Sequence, residues 1–507
     1  MTPVKNVTIG VSIVWLVRLP NASSDEVSRM KLSPLFQALA LCLVIFLAAA
    51  FPVRSDAPAP ASNGAPSPSG EASEPDLITL AQGLEEVTSL GHEVQITQEG
   101  ENIAAADVTA ARAGFLPSLN ASAAHTSLAY EIAGVTTTQV PVISGPPNPG
   151  LVIGSTTEKL IVPQVPLNSW MYSATVQQTL FDFWRTLSRY RESKELLANS
   201  KLDTARVRNL SALQFTVAYF NLLEAERVVT VAQQEVERLD SHLKDARNLY
   251  ESGVITKNDL LQAEVRLKDG TQRLLNAQNS RALQASRVNN LLVRPLDKPV
   301  RVSEIDFKAG APPFSLDDAW EKALKERPEI RIVDGTLKAL HFEETARKAD
   351  YYPTFFAQGG VNYSQNQFLE HDTNWSAIFG VTVNLFSGGL TKAQVAKTRS
   401  QEDQVLKERS KLVDDVKLEV QQYVLDMNNA RERIDVMRGA ADQAQENLRI
   451  NKVRYDAGEG TATEVLDAVT LVTTAETNYI RAIYDFRRSE AGMYYAVGKD
   501  LREVYRQ

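Results

Sequence analysis

Polar and apolar positions along this chain follow two rhythms, and each rhythm is written twice. Val229, Ala232, Val236, Leu239, Leu243, Ala246 and Tyr250 recur at alternating intervals of three and four, the spacing that lines one face of an α-helix. After a break containing glycine the spacing resumes through Leu260, Ala263, Leu267, Gly270, Leu274 and Ala277. Both seams return later, first as Ile434, Met437, Ala441, Ala444, Leu448 and Tyr455, then as Val465, Ala468, Val472, Ala475, Tyr479, Ala482 and Phe486. Heptads sustained on two adjoining segments predict antiparallel coiled-coil hairpins, and the small seam residues permit close approach. The second rhythm has period two. Ala377, Phe379, Val381, Val383 and Leu385 alternate with Ser376, Gly380, Thr382 and Asn384, which predicts a strand with one apolar and one polar face.

The two hairpins are copies of one another. Tyr250, Gly253, Thr256, Asp259 and Leu261 match Tyr455, Gly458, Thr461, Glu464 and Leu466 at a constant offset, 455 − 250 = 205. Trp170 and Trp375 keep that offset, as do Leu180-Phe181 and Leu385-Phe386. Farther toward the N-terminus Leu80 matches Leu316, and Ala113 with Pro117 matches Ala349 with Pro353, at 316 − 80 = 236. The chain is therefore one unit written twice, with 236 − 205 = 31 extra residues in the first copy between Pro117 and Trp170. The first repeat spans residues 77–293, with strands near 115–128 and 173–181 and a hairpin tip at 250–261. The second spans residues 314–498, with strands near 352–364 and 376–386 and a tip at 455–467. Pro117 and Pro353 stand at the strand entries. The insertion carries Pro141, Pro146, Pro147, Pro149, Pro163 and Pro166 and reads as a loop.

Residues 390–457 leave room for one helix of roughly 100 Å at 1.5 Å per residue. Residues 77–113, 259–293 and 463–498 predict helices about half as long, so that two stacked end to end would match one long one. Residues 294–313, with four prolines, read as a belt segment outside that wall, and residues 499–507 as a tail.

Composition narrows the function. A formal charge of −8 without a basic cluster argues against a nucleic-acid partner. Residues 7–17 form an apolar run too short to span a bilayer as a helix, so residues 1–29 read as an upstream extension. Met30-Lys31 and the apolar run 38–51 then read as a signal peptide, 30–57, and the Pro/Ala/Ser-rich residues 58–76 as a leader. The one cysteine, Cys42, lies inside that signal; lipidation there is disfavoured by the bulk of Leu41 before it. Its removal would leave no thiol for disulfides, zinc or nucleophilic chemistry. Five histidines are scattered, and no phosphate loop, nucleophile elbow or H-E-x-x-H pattern occurs. We therefore expect no catalytic residues, no cofactor and no metal.

Strands of about ten residues suit a tilted crossing of the hydrocarbon layer. An open sheet cannot stay there, so four strands per chain require closure by other copies: two chains give eight strands and three give twelve. The other reading left open by these residues is a soluble secreted or periplasmic coiled-coil scaffold.

Over residues 77–498 the chain resembles the TolC-like outer-membrane efflux proteins. The likeness rests on the duplicated helix-strand-strand-helix-helix order, the entries Ala113/Pro117 and Ala349/Pro353, and the two Tyr-x-x-Gly-x-x-Thr tips. It implies a mostly α fold with a membrane β-barrel: a homotrimer whose twelve-stranded barrel in outer-membrane lipid continues into an α-helical coiled-coil tunnel through the periplasm. It further implies a passive exit duct of a tripartite efflux or type I secretion system, working with a periplasmic adaptor (membrane fusion protein) and an inner-membrane transporter. By the same likeness Glu464 and Asp467 match an acidic ring at the periplasmic gate, and Asp259 and Tyr455 match a latch. Gly253, Val254, Thr256, Gly458 and Thr461 fall at the tip expected to meet the adaptor. Where the family pattern has a latch arginine this chain has Gly460, which implies a weaker closure. Glu464 also fits a plain capping box with Thr461, whereas Asp467 has no capping duty.

Overall fold

The computed structural model describes residues 9–16, 76–130, 132–143, 152–304, 310 and 314–506. The expected signal peptide with Cys42, nearly all of the leader, and belt residues 305–309 and 311–313 lie outside them. Strand β1 (Ile9–Leu16) precedes β2 (Asp76–Ile78), α1 (Leu80–Leu90) and α2 (His92–Ala113). Next come β3 (Ser118–Ser127), β4 (Ile132–Ile143), β5 (Val152–Val165) and β6 (Asn168–Phe181), then the hairpin of α3 (Arg185–Glu251) and α4 (Lys257–Leu291). After β7 (Val300–Val302) the order repeats through α5 (Leu316–Glu326), α6 (Pro328–Lys348), β8 (Thr354–Ser364), β9 (Thr373–Phe386), α7 (Leu390–Asp456) and α8 (Ala462–Ala496). A last turn, α9 (Leu501–Val504), follows. The duplication holds to the residue: 390 − 185 and 456 − 251 both equal 205 for α3 and α7, and 316 − 80 equals 236 for α1 and α5.

Helices α3 and α7 are each 67 residues long, hence about 100 Å. Along its strand-proximal half α3 packs between α2 and α6, with α7 beyond α6; along its tip-proximal half it packs between α4 and α8, with α7 beyond α8. The wall is thus four helices wide at either level, α2–α3–α6–α7 above and α4–α3–α8–α7 below. The largest core sits where the half-length helices meet. There Phe215, Tyr219, Phe220 and Leu222 of α3 are buried against Leu84, Val288 and Leu292, and the Tyr219 hydroxyl donates to the Ser303 carbonyl oxygen at 2.6 Å. Parallel pairing of β2 with β7 and a two-pronged ion pair from Arg294 to Glu86 strap the ends together.

The main sheet is antiparallel with the order β1–β9–β8–β6–β3. Its register sorts the side chains by face. Val361 opposes Trp375, Ala357 opposes Phe379 and Phe355 opposes Val381, while Thr354 opposes Thr382, Gly360 opposes Ser376 and Asn362 opposes Asn374. In the first copy Leu119 opposes Val176 and Ala121 opposes Ala174, against Asn120 with Thr175 and Ser122 with Ser173. One face is mainly apolar and the other mainly polar, with Met171, Phe356 and Ile378 as apolar exceptions on the second.

Two expectations are overturned. Residues 77–113 are not one helix: the chain is strand through Ile78, and α1 ends at Gly91, whose extended ψ of 134° starts α2 afresh. The insertion is not a loop either. Residues 132–143 and 152–165 pair as a ribbon continued from β3 and β6 by the Leu128 N–H donating to the Leu167 carbonyl oxygen. Each strand of a two-stranded ribbon keeps one unpaired edge, so Pro141 and Pro163 are tolerated inside it.

The repeats also expose local strain. Val293, with φ 57°, occupies the left-handed position that Gly498, with φ 79°, takes in the second copy. Both close a helix with the same paired turn bonds. Val293→Gly should raise stability by about 1 kcal/mol, because a β-branched residue is strained there; a higher midpoint in detergent thermal unfolding is the check, and a lower one would contradict it.

Candidate functional site

Two regions stand apart from the packed wall: the hairpin tips and the sheet. At the tips the backbone is dictated by glycine and threonine. Gly253 and Gly458 hold φ of 75° and 78°, conformations cheap only for glycine. At each, paired bonds close the long helix: Gly253 N–H to Tyr250 and Val254 N–H to Leu249, then Gly458 N–H to Tyr455 and Glu459 N–H to Arg454. The next helix starts on a reciprocal capping box, Thr256 with Asp259 and Thr461 with Glu464. Pro117 and Pro353 each stand one residue before a strand, β3 and β8.

The tip acids carry partners that the sequence left unseen. Glu464 lies 3.7 Å from Arg454, and Asp467 lies 3.4 Å from Arg266 of the other hairpin. Beside that second pair, the Thr463 hydroxyl reaches Gln262 Oε1 at 3.4 Å, so the tips touch through α4 and α8. All four charged side chains are largely exposed, so each pair contributes at most about 1 kcal/mol. Nothing local betrays the second pair: Arg266 and Asp467 are 201 positions apart, and the repeat mate of Arg266 is Leu471.

Asp259 and Tyr455 are not hydrogen-bonded to each other within the chain. The Asp259 carboxylate accepts from the Thr256 amide at 3.0 Å and hydroxyl at 2.7 Å, whereas the Tyr455 hydroxyl is buried without a partner. Its ring instead meets His242 of α3 with centroids 5.1 Å apart. Burial, followed by the charge of Asp259, raises the Tyr455 phenol above its ordinary value. Among the described residues one group, His341, Glu344 and Glu402, brings metal-type donors within reach of one another. Glu344 there is already claimed by Lys348 and Arg399, each at 2.7 Å, so a dication would have to displace two cations.

The apolar face of the sheet is bounded by aromatic side chains at both ends. Away from the helices Trp170, Tyr172 and Tyr363 form a contiguous row, and Trp375 is 76% exposed. Toward the helices Phe181, Phe183, Trp184, Tyr352 and Phe355 form a second row. Tyr172 and Phe181 are 181 − 172 = 9 residues apart, about 30 Å along a strand and some 23 Å across a layer at ordinary barrel tilt. Among the described residues no helix is long and apolar enough to cross a membrane.

Residues 92–292 and 319–499 match the family described as outer membrane efflux protein, which covers most of the chain. The chain belongs to that family. Its place is therefore the outer membrane, and its family is one of channels and transporters rather than enzymes. Membership decides against the soluble scaffold. Nodulation protein T of Rhizobium leguminosarum bv. trifolii is 21% identical over 435 residues, covering 84% of this chain and 86% of its own. Outer membrane protein TolC of Vibrio cholerae is 22% identical over 298 residues, 56% and 67% of the respective lengths. Among solved structures, the outer membrane protein VceC of Vibrio cholerae superposes with a TM-score of 0.66 at 16% identity, over 83% of this chain and 96% of that one. The fold is that of the outer-membrane efflux channels.

Thr461→Ala should cost about 1 kcal/mol at the tip. Faster amide exchange over the first turn of α8, with the wall helices unchanged, is the expected signature; uniform exchange would refute a local cap.

Proposed function

We propose that three copies of this efflux-family chain close into one passive duct across the outer membrane and periplasm, gated at the hairpin tips. A single observation carries this: at every level the chain ends sideways in an unsatisfied edge. Apart from β1, which comes from ahead of the expected signal peptide and lies along β9, the repeats' own strands end at β3 and β9, the upper wall at α2 and α7, and the lower wall at α4 and α7. One edge always belongs to the first copy and the other to the β9–α7 segment, so a rotated neighbour fits all three levels at once. The apolar residues left exposed agree. Leu418, Leu425, Val436 and Ile450 lie on one stripe of α7, each close to a whole number of turns from the last, and Leu261, Val265, Leu275 and Leu283 form a stripe on α4. Three copies suit a duct better than two, because an eight-stranded barrel is filled by its own side chains.

In this reading the apolar sheet face meets lipid between its aromatic rows, and Asn120, Thr175, Asn362 and Thr382 face the lumen. Glu464 and Asp467 stand around the narrow periplasmic opening, partly offset by Arg454 and Arg266. Asp259 and Tyr455 hold the closed tips by contacts made across the assembly rather than within one chain. Gly253, Val254, Thr256, Gly458 and Thr461 lie on the outer surface of the tips, where a periplasmic adaptor would join the duct to an inner-membrane transporter.

Val265 and Ile450 test the assembly. Both are exposed, and they sit at similar height because Leu267 and Leu448 pack on the same cluster of Leu239, Leu466 and Val469. Val265→Cys with Ile450→Cys should give disulfide-linked trimers on non-reducing gels; monomers alone would remove this interface. In planar bilayers, Glu464→Ala with Asp467→Ala should lower cation selectivity of the conducting protein, and unchanged selectivity would take those residues out of the opening.

A further inference from the structure

Between the two hairpins, just above the tips, lies a cavity of about 360 Å³ walled by α3, α7 and α8. Two of its lining side chains, His242 and Tyr455, are each only 6% exposed, yet His242 Nε2 and the Tyr455 hydroxyl have no hydrogen-bond partner. A buried polar atom left unpaired is destabilising, so two in one cavity call for an occupant. The remaining lining indicates its chemistry. Leu448, Val465 and Val469 make an apolar wall beside the two rings. Glu237, Asp245 and Asp456 bring three carboxylates to the rim with no ion-pair partner among the described residues. Of the two lining cations, Arg238 is held by both oxygens of Glu476 at 3.1 and 3.3 Å, which leaves Lys452. The site is therefore net acidic, aromatic and half apolar.

We propose that this cavity binds a small amphipathic amine, its three ammonium N–H groups donating to His242 Nε2, the Tyr455 oxygen and one carboxylate of the Asp245 and Asp456 pair, the other carboxylate balancing its charge, its hydrocarbon lying on Leu448, Val465 and Val469. An anion would meet three carboxylates, and a neutral molecule would leave them uncompensated. The ammonium has the donors that these acceptors lack. The imidazole suits this role because burial holds His242 below its ordinary value of 6.5, with Lys452 adding to that effect and Asp245 and Asp456 opposing it; it is uncharged at neutral pH. Facing it are Glu237, Arg238 and Asp245 from α3 and Lys452, Tyr455 and Asp456 from α7, while α8 presents only Val465 and Val469. Since the bound form requires a neutral ring, affinity should fall in acid once the pH drops through the lowered value of the His242 ring, which lies below its ordinary one. The lining residues all come from one chain, although Tyr455 is shared with the latch proposed above. A bound amine would brace the first hairpin against the second.

Calorimetric titration of the full chain in detergent with phenethylamine and with phenethyl alcohol is the test. The amine should bind about tenfold more tightly than the alcohol at pH 7.5. Asp245→Asn with Asp456→Asn should bring it down to the alcohol's level, and Tyr455→Phe, which keeps the ring, should weaken it without affecting the alcohol. His242→Gln should keep amine binding and lose its decline in acid. Unchanged oligomer mass and helix content exclude misfolding of the variants. Equal affinity for the two ligands, amine binding indifferent to the carboxylate changes, or no amine binding would each overturn the proposal.

Discussion

A backbone N–H or C=O at the margin of a sheet has no water to turn to inside hydrocarbon, so every strand edge at that depth must find another strand. This constraint organises the chain from end to end. The four repeat strands β3, β6, β8 and β9 offer a mainly apolar face and two margins, one free at β3 and one taken by β1 at β9, and the helical wall below carries the same pair of margins toward the tips. The strength of the demand is visible in β1, which lies along β9 with Ile9 opposite Phe386 and Leu16 opposite Ile378. In the proposed assembly a neighbour's β3 takes that margin. The residues of β1 belong to a segment that precedes the expected signal peptide, so its seat marks the margin as a docking edge for whichever strand reaches it.

The duplication solves a problem of length. A helix of 67 residues needs partners along all of it, and the half-length helices supply them in two tiers. Their junction falls at the densest core, where Phe215 and Tyr219 are buried. The copies are not equally relaxed. Gly388 and Gly389 carry the left-handed turn from strand to helix in the second copy, whereas Phe183 and Trp184 hold φ of 51° and 67° there in the first. Stacking of Phe183 on Tyr352, with centroids 4.7 Å apart, secures a turn that costs on the order of 1–3 kcal/mol per residue. That aromatic pair lies in the row at the helix end of the sheet, so backbone strain is accepted where large rings are needed at the membrane boundary.

At the tips, local chemistry and long-range contact divide the work. Glycine and threonine fix the turns from within a few residues, and the acids Asp259 and Glu464 are partly committed to capping. What distinguishes one tip from the other is the surroundings: Arg266 beside Asp467, and His242 against Tyr455 above a cavity. The two hairpins therefore share a backbone and differ in charge and in buried polar groups.

The heptads, the period-two alternation and the constant offset determined the hairpins, their tips and the order of elements. Periodicity and turn residues act over a few positions and act the same way in both copies. Proline suggests a loop in the insertion, yet the ribbon of β4 and β5 overrides it, because proline is excluded only from strands paired on both sides. The pattern of residues 77–113 suits one helix, but Gly91 ends the first segment through a backbone angle that composition does not reveal. The partners of Glu464, Asp467 and Tyr455 come from segments some 200 positions away or from an adjoining helix, and no local pattern encodes such pairings. The sequence by itself determined which faces are apolar and where the chain turns; only the tertiary structure decided which edges remain open and which charges stand beside which, because those depend on how distant segments pack.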